Sequence, residues 1–311
     1  MLAPPLAPGK FIDPLTTQKG EPRAAVPFGR LQTLWVNTGT LCNIECRSCY
    51  IESSPTNDRL AYFSRPELRP FLNEAAAMGA EEIGFTGGEP FLNPDLAGMA
   101  EDALNAGFHV LILTNAMRPA MRPSPRAAMK RLADAHGARL TLRVSLDHHT
   151  SGLHDAERGA GAFETTIAGL KAFAADGVHL AVAGRRHADE SDGAARAAYA
   201  RLFAAHGLPI DAGDRAALVI FPEMDAKLDT PEITEACWGI LKKKPDSVMC
   251  ASSRMIVKRK GAAAPAVLAC TLIVDDFQFE LGATLADAAR PVRLNHPHCS
   301  RFCVLGGASC S

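Results

Sequence analysis

The sequence has no excess of charge of either sign: 33 Lys and Arg stand against 34 Asp and Glu in 311 residues, for a formal net charge of −1. Nucleic acid and anionic membrane surfaces both select a basic excess or patch, so neither is an expected partner, and a small molecule or peptide is the better expectation. Long apolar runs are missing too. The most apolar stretch, residues 262–274, is too short to cross a bilayer and is broken by Pro265. Nor does the start read as a secretory signal, because three prolines fall in the first eight residues and no apolar core follows them. A cytoplasmic protein is expected. There is no internal repeat, and no low-complexity tract beyond an alanine richness that suits helices.

What the chain does have is cysteine. Nine are present, and none lies between Cys49 and Cys237. Without an export signal a disulfide framework is excluded, since the cytosol keeps thiols reduced, and metal binding or catalysis is the remaining use. Cys42, Cys46 and Cys49 cluster early; Cys237, Cys250, Cys270, Cys299, Cys303 and Cys310 come late. Two separate thiolate sites are implied.

Residues 1–30 are rich in proline and glycine and read as an extended arm. From Gln32 onward, short β-branched or apolar runs alternate with longer helical stretches. Strands are expected at residues 32–37, 82–86, 109–114, 141–146, 179–183 and 217–221. Helices are expected at 65–78, 94–106, 125–136, 163–175 and 193–206, several closed by a glycine such as Gly79, Gly107 or Gly207. Strands alternating with helices pair in parallel through right-handed crossovers. The expected fold is therefore α/β, a partial (β/α)6 barrel over residues 31–224, with reacting groups at the carboxyl ends of its strands. The rhythm stops after Met224. Residues 225–311 read as a small cysteine-ligated module built on a hairpin, residues 254–258 and 266–274 around Lys260-Gly261, followed by a looped tail.

Cys42, Cys46 and Cys49 occupy the loop after the first barrel strand, with three and then two residues between them. Three thiolates from one loop can hold three corners of a cubane iron–sulfur cluster and leave the fourth iron free. The alternative is zinc, but a structural zinc takes four protein ligands and no fourth donor lies nearby in the sequence. At the end of the second strand stands Thr86-Gly87-Gly88-Glu89-Pro90. Two glycines there let backbone approach a ligand closely, and Glu89 can accept from an ammonium group; the plainer alternative is a tight turn capped by Pro90.

Together, the Cys-x3-Cys-x2-Cys loop and the Gly-Gly-Glu-Pro strand end resemble the radical S-adenosylmethionine superfamily. One departure is Ser48, where the family usually carries an aromatic residue before the last cysteine. The resemblance implies that the open iron chelates S-adenosylmethionine and that the reduced cluster splits it to a 5′-deoxyadenosyl radical, with an external electron donor such as flavodoxin or ferredoxin. It assigns Gly87, Gly88 and Glu89 to cofactor binding. The run Val144-Ser145-Leu146-Asp147, with His154-Asp155 and Arg158-Gly159 in the loop beyond, is similar to a stretch of the peptide- and small-molecule-modifying branch, which adds Ser145 and Arg158. Asn115, at the end of the third strand, either faces the cofactor or caps a turn. His148-His149 stand where such families commonly have glycine, and either line the substrate pocket or are structural.

Closure of the hairpin brings Cys250 and Cys270 together, and Cys299 and Cys303 can supply two further thiolates. This arrangement resembles the Twitch module, the shortened relative of the SPASM domain, and implies one auxiliary 4Fe–4S cluster; a four-thiolate zinc is the alternative. The closing pair departs from the pattern by one residue, which leaves Cys310 as a fifth candidate. Cys237 reads as a buried structural thiol. His296 and His298 either approach the cluster or belong to an ordinary loop. An auxiliary cluster suits a net oxidation, so a dehydrogenase-like oxidoreductase acting on a small molecule is expected, because the residues before Gln32 are too few for a peptide-recognition domain. The alternatives are a peptide maturase forming a crosslink or thioether, and a non-enzymatic iron–sulfur electron carrier. Asp147, Glu223 and Asp225, at or after strand ends, are candidate general bases on position alone.

Overall fold

The computed structural model describes residues 4–186, 190–222 and 225–307. Its strands are β1 (Ala25–Val26), β2 (Thr33–Asn37), β3 (Glu82–Thr86), β4 (His109–Thr114), β5 (Leu140–Ser145), β6 (His179–Arg185), β7 (Leu218–Phe221), β8 (Ser253–Val257), β9 (Ala266–Leu268), β10 (Glu280–Gly282) and β11 (Val292–Arg293). The helices are α1 (Arg65–Ala77), α2 (Leu96–Asn105), α3 (Pro123–His136), α4 (Ser151–Arg158), α5 (Ala162–Ala175), α6 (Asp192–His206) and α7 (Cys237–Leu241).

Strands β2 through β7 lie side by side in sequence order, every neighbouring pair parallel, with helices in each crossover. This is the expected partial barrel. Its strands are nearly continuous apolar runs because helices cover one face and the barrel interior the other; all five residues of β2 are buried. Trp35 of β2 is fully buried opposite Gly84 of β3, where a Cβ would stand 2.5 Å from its ring. The barrel starts on an indole that only glycine can accept across the sheet.

Two features were not legible beforehand. The segment after Asp147, read as loop, contains α4, a short helix with Gly152 near its start. And the sheet does not end at β2: β8 pairs with it in parallel, Ser253 opposite Thr33 and Ile256 opposite Val36. The hairpin β8–β9 is antiparallel as expected, Met255 opposite Leu268, and β10 extends it. Its second strand stops at Leu268 rather than Val274, so Cys270 lies beyond the ladder. Lys258, just past β8, reaches Glu67 of α1 at 2.6 Å.

The N-terminal segment is extended and well anchored. β1 pairs with β11, Ala25 opposite Arg293. Arg23 is fully buried; its guanidinium donates to Glu232 at 2.6 Å, the Thr16 carbonyl at 2.8 Å and the Asp13 carbonyl at 2.9 Å. The arm thus straps residues 227–235 to residues 292–294. No helix among the described residues is long and apolar enough to cross a membrane.

Candidate active site and cysteine centres

The loop after β2 is tied down before its first cysteine. The Thr38 N–H donates to the Thr86 carbonyl at 2.8 Å, the Gly88 N–H to the Gly39 carbonyl at 2.8 Å and the Glu89 N–H to the Leu41 carbonyl at 3.0 Å. These bonds zip residues 38–41 onto the Gly-Gly-Glu strand end. The glycines are needed for that closeness: a Cβ on Gly88 would lie 2.2 Å from the Leu41 oxygen, and one on Gly87 2.6 Å from the Gly39 oxygen. Gly87 also holds φ +145°. So the glycine pair serves the docking of the cysteine loop, a purpose the sequence does not announce.

Glu89 is buried, and its carboxylate is already occupied by the chain. One oxygen accepts from the Thr114 hydroxyl at 2.8 Å and the Phe91 N–H at 3.2 Å; the other accepts from the Asn115 N–H at 2.9 Å. Burial pushes its carboxyl up while these donors pull it down. Glu89 therefore braces the ends of β3 and β4 against each other. Asn115 continues the chain of contacts, its amide donating to Asn43 of the cysteine loop at 3.0 Å while its own oxygen accepts from the Met117 N–H at 2.9 Å.

Ser145 is the last residue of β5 and half-buried at the mouth. Two residues on, Asp147 is buried between two guanidiniums: Arg158 Nε at 2.6 Å and Arg185 Nε at 3.1 Å. Burial works against its charge, but the two cations hold its carboxyl below the usual carboxylate value. That is an anchor for two arginines, which argues against a free general base. Arg158, at the end of α4, sits close enough to Cys42 and Cys46 for their charges to act on it. Arg185, at the end of β6, also donates to Ser48, which donates in turn to Glu157. The hydroxyl that replaces the family's aromatic residue is thus fixed from two sides. Arg185 and Glu157 were not anticipated, although a charged residue at the carboxyl end of a barrel strand is a signal that could have marked Arg185.

The three thiols fit an iron–sulfur cluster. Burial drives Cys42 up to about 12, with Glu89, Cys46 and Cys49 adding to the effect. Cys46 is also raised by burial, with Arg158 opposing. Thiols so reluctant to ionise become thiolates only against strong positive charge, as iron supplies.

The late cysteines come together as well. Cys250, Cys270, Cys299 and Cys303 line one buried cavity with Met249, Leu272, Phe279 and His298. Burial, then the nearby Cys270 and Cys250, push the Cys299 thiol well up. Cys299 and Cys303 lie on a π-helix, residues Cys299–Leu305, whose wider turn takes up the extra residue between them. His298 is buried, lines the cavity, and its Nδ1 has no hydrogen-bond partner. Cys237 does not line it; its sulfur accepts from the Thr234 N–H at 3.4 Å. The Asp225 carboxylate accepts from the Lys227 N–H at 2.8 Å, and its charge bears on His298. Glu223 and Cys310 fall outside the described residues.

A parallel partial barrel with three free thiols in the loop after its first strand, one buried and two half-buried, defines an enzyme class built on a 4Fe–4S cluster and S-adenosylmethionine. Residues 36–188 match the family model of the Radical SAM superfamily, and the chain belongs to that superfamily. Among curated relatives, the AdoMet-dependent heme synthase of Methanosarcina barkeri is 31% identical over 134 residues, 42% of this chain and 35% of that protein. The subtilosin biosynthesis protein AlbA of Bacillus subtilis is 28% identical over 143 residues, 46% of this chain and 30% of that protein. The matches thus span about a third of those relatives' length. Among solved structures, Streptococcus suis SuiB bound to the precursor peptide SuiA superposes with a TM-score of 0.59 at 12% identity, covering 82% of this chain and 62% of that one.

Proposed function

We propose that this chain is a peptide-modifying radical SAM enzyme that carries one auxiliary 4Fe–4S cluster and performs a net oxidation of its substrate, with electrons entering from a flavodoxin- or ferredoxin-like donor. The observation that carries the second cluster is the gathering of Cys250, Cys270, Cys299 and Cys303 from separate segments around one buried cavity. Support for a peptide comes from the likenesses to AlbA and to the peptide-bound SuiB. They favour this reading over the small-molecule substrate expected from the sequence, and the cofactor-site geometry speaks against a mere electron carrier.

When bound, the first cluster and S-adenosylmethionine supply a 5′-deoxyadenosyl radical. Cys42, Cys46 and Cys49 would hold that cluster. Gly87 and Gly88 fix the loop that presents the thiols, and Glu89 keeps the ends of β3 and β4 in register beneath the cofactor. Ser145 and Arg158 present a hydroxyl and a cation at the mouth for the cofactor's carboxylate, and Asp147 with Arg185 holds Arg158 in place.

Anaerobic reconstitution tests the reading. About eight irons per chain are expected, and about four in a Cys250→Ala/Cys270→Ala variant. 5′-Deoxyadenosine release should rise with a short peptide encoded beside the gene, and that peptide should lose two mass units per linkage. Turnover stimulated only by small molecules would overturn the peptide assignment; four irons in the unmodified chain would overturn the auxiliary cluster.

A further inference from the structure

Past the ends of the neighbouring strands β5 and β6, three side chains converge that no role described so far uses. His148 and His149 follow Asp147 directly, and Glu190 precedes α6 by two residues. The two imidazole rings are 4.0 Å apart. Nε2 of His149 lies 2.8 Å from one Glu190 oxygen, and Nε2 of His148 lies 3.8 Å from the other. One ligand atom from each residue falls within 4.8 Å of the other two. That second Glu190 oxygen, Oε2, is shut off from solvent and has no hydrogen-bond donor. A buried carboxylate oxygen without a donor is costly, and a simple His149–Glu190 ion pair gives no reason for His148 to face it.

We propose that His148, His149 and Glu190 form a binding site for a divalent transition-metal ion at the barrel mouth, distinct from both cysteine sets. Two imidazoles and one carboxylate are a recurrent donor set for zinc, iron and manganese, and three protein ligands leave coordination positions open. An open position there would take an oxygen of the substrate, a carboxylate or hydroxyl, two residues from the Asp147–Arg158 pair. The site does not depend on whether that substrate is a peptide.

The surroundings suit ligation. His149 packs edge-on against Tyr199 at 5.6 Å, and the Tyr199 hydroxyl donates to the Leu146 carbonyl at 2.7 Å, which fixes the ring that backs the site. Nδ1 of His148 lies 3.0 Å from the Thr150 N–H and 2.8 Å from the Thr150 hydroxyl. Without metal, Nδ1 accepts that N–H and the ring proton sits on Nε2. Ligation through Nε2 moves the proton to Nδ1, which then donates to the Thr150 hydroxyl and gives up its bond from the Thr150 N–H, so the hydroxyl is the partner that favours the bound state. The proton shifts within one ring and none is released.

The test uses full-length protein with its clusters loaded, so that the thiolates are occupied, dialysed against Zn2+. One zinc per chain beyond the iron content is expected. His149→Ala and Glu190→Gln should lose that stoichiometric zinc while the cluster absorption and circular dichroism stay unchanged. Thr150→Val should weaken binding roughly 10–100-fold, with Thr150→Ser close to the unmodified chain. Failure of the unmodified chain to take up one zinc, or equal uptake by the His149 and Glu190 variants, would overturn the site and leave an ion pair only.

Discussion

Gly88 lies against the backbone of Leu41 so closely that a single added carbon would stand 2.2 Å from the Leu41 oxygen. The contact joins the second strand end to the loop that carries Cys42, Cys46 and Cys49, and it makes that loop's position a property of residues far from it in the chain.

Gly88→Ala should therefore empty the first centre while sparing the second. The expected iron content falls from about eight to about four per chain, and 5′-deoxyadenosine release is lost, while the far-ultraviolet circular dichroism is retained. Full iron loading in this variant would show that the loop can yield.

Asp147→Asn removes the buried carboxylate that pairs with both Arg158 and Arg185, so its effect should appear first in stability. A loss of about 3–5 kcal/mol is expected from breaking a buried pair on one side. Thermal unfolding measures it. A variant as stable as the parent but inactive would instead mark Asp147 as a catalytic base.

Glu232 makes the strap sensitive to acid. Burial raises its carboxyl, but the Phe11 and Gln18 N–H groups and Arg23 outweigh burial and leave it below the ordinary value of 4.5. A depressed carboxyl contributes stability that is fully present above its unfolded pKa and is lost as pH falls through the folded one. Glu232→Gln should cost about 3–5 kcal/mol near neutrality by stranding Arg23. The gap between variant and parent should close below about pH 4.5 in unfolding titrations. A gap independent of pH would place the cost elsewhere.

Cys303→Ser should remove the auxiliary iron without stopping S-adenosylmethionine cleavage, whereas Cys310→Ser should leave about eight irons in place. Reversal of the two outcomes would exchange their roles.

The six barrel strands and their helices were legible because each is a long apolar or periodic run closed by a glycine. The hairpin was legible from its bend, and the thiolate sets from their spacing. What escaped were relationships between distant segments. Nothing in residues 253–257 says that they pair with β2, since parallel pairing has no turn to announce it. Helix α4 escaped because it is short and carries Gly152. The roles of Glu89 and Asp147 could not be foreseen either, because a carboxylate's partners decide whether it binds a ligand or braces the chain. Arg185 and Glu190 come from a neighbouring strand end and its loop, and only the fold brings them beside β5.

The parallel register of β8 on β2 has a final consequence for how the late cysteines are tethered. Cys250 precedes the amino end of β8, next to β2, while Phe302, between Cys299 and Cys303, packs on Phe221 at the carboxyl end of β7 with ring centroids 5.4 Å apart. The thiols around one cavity are therefore moored to both outer strands of the six-stranded parallel run, and loosening either edge would disturb the same pocket.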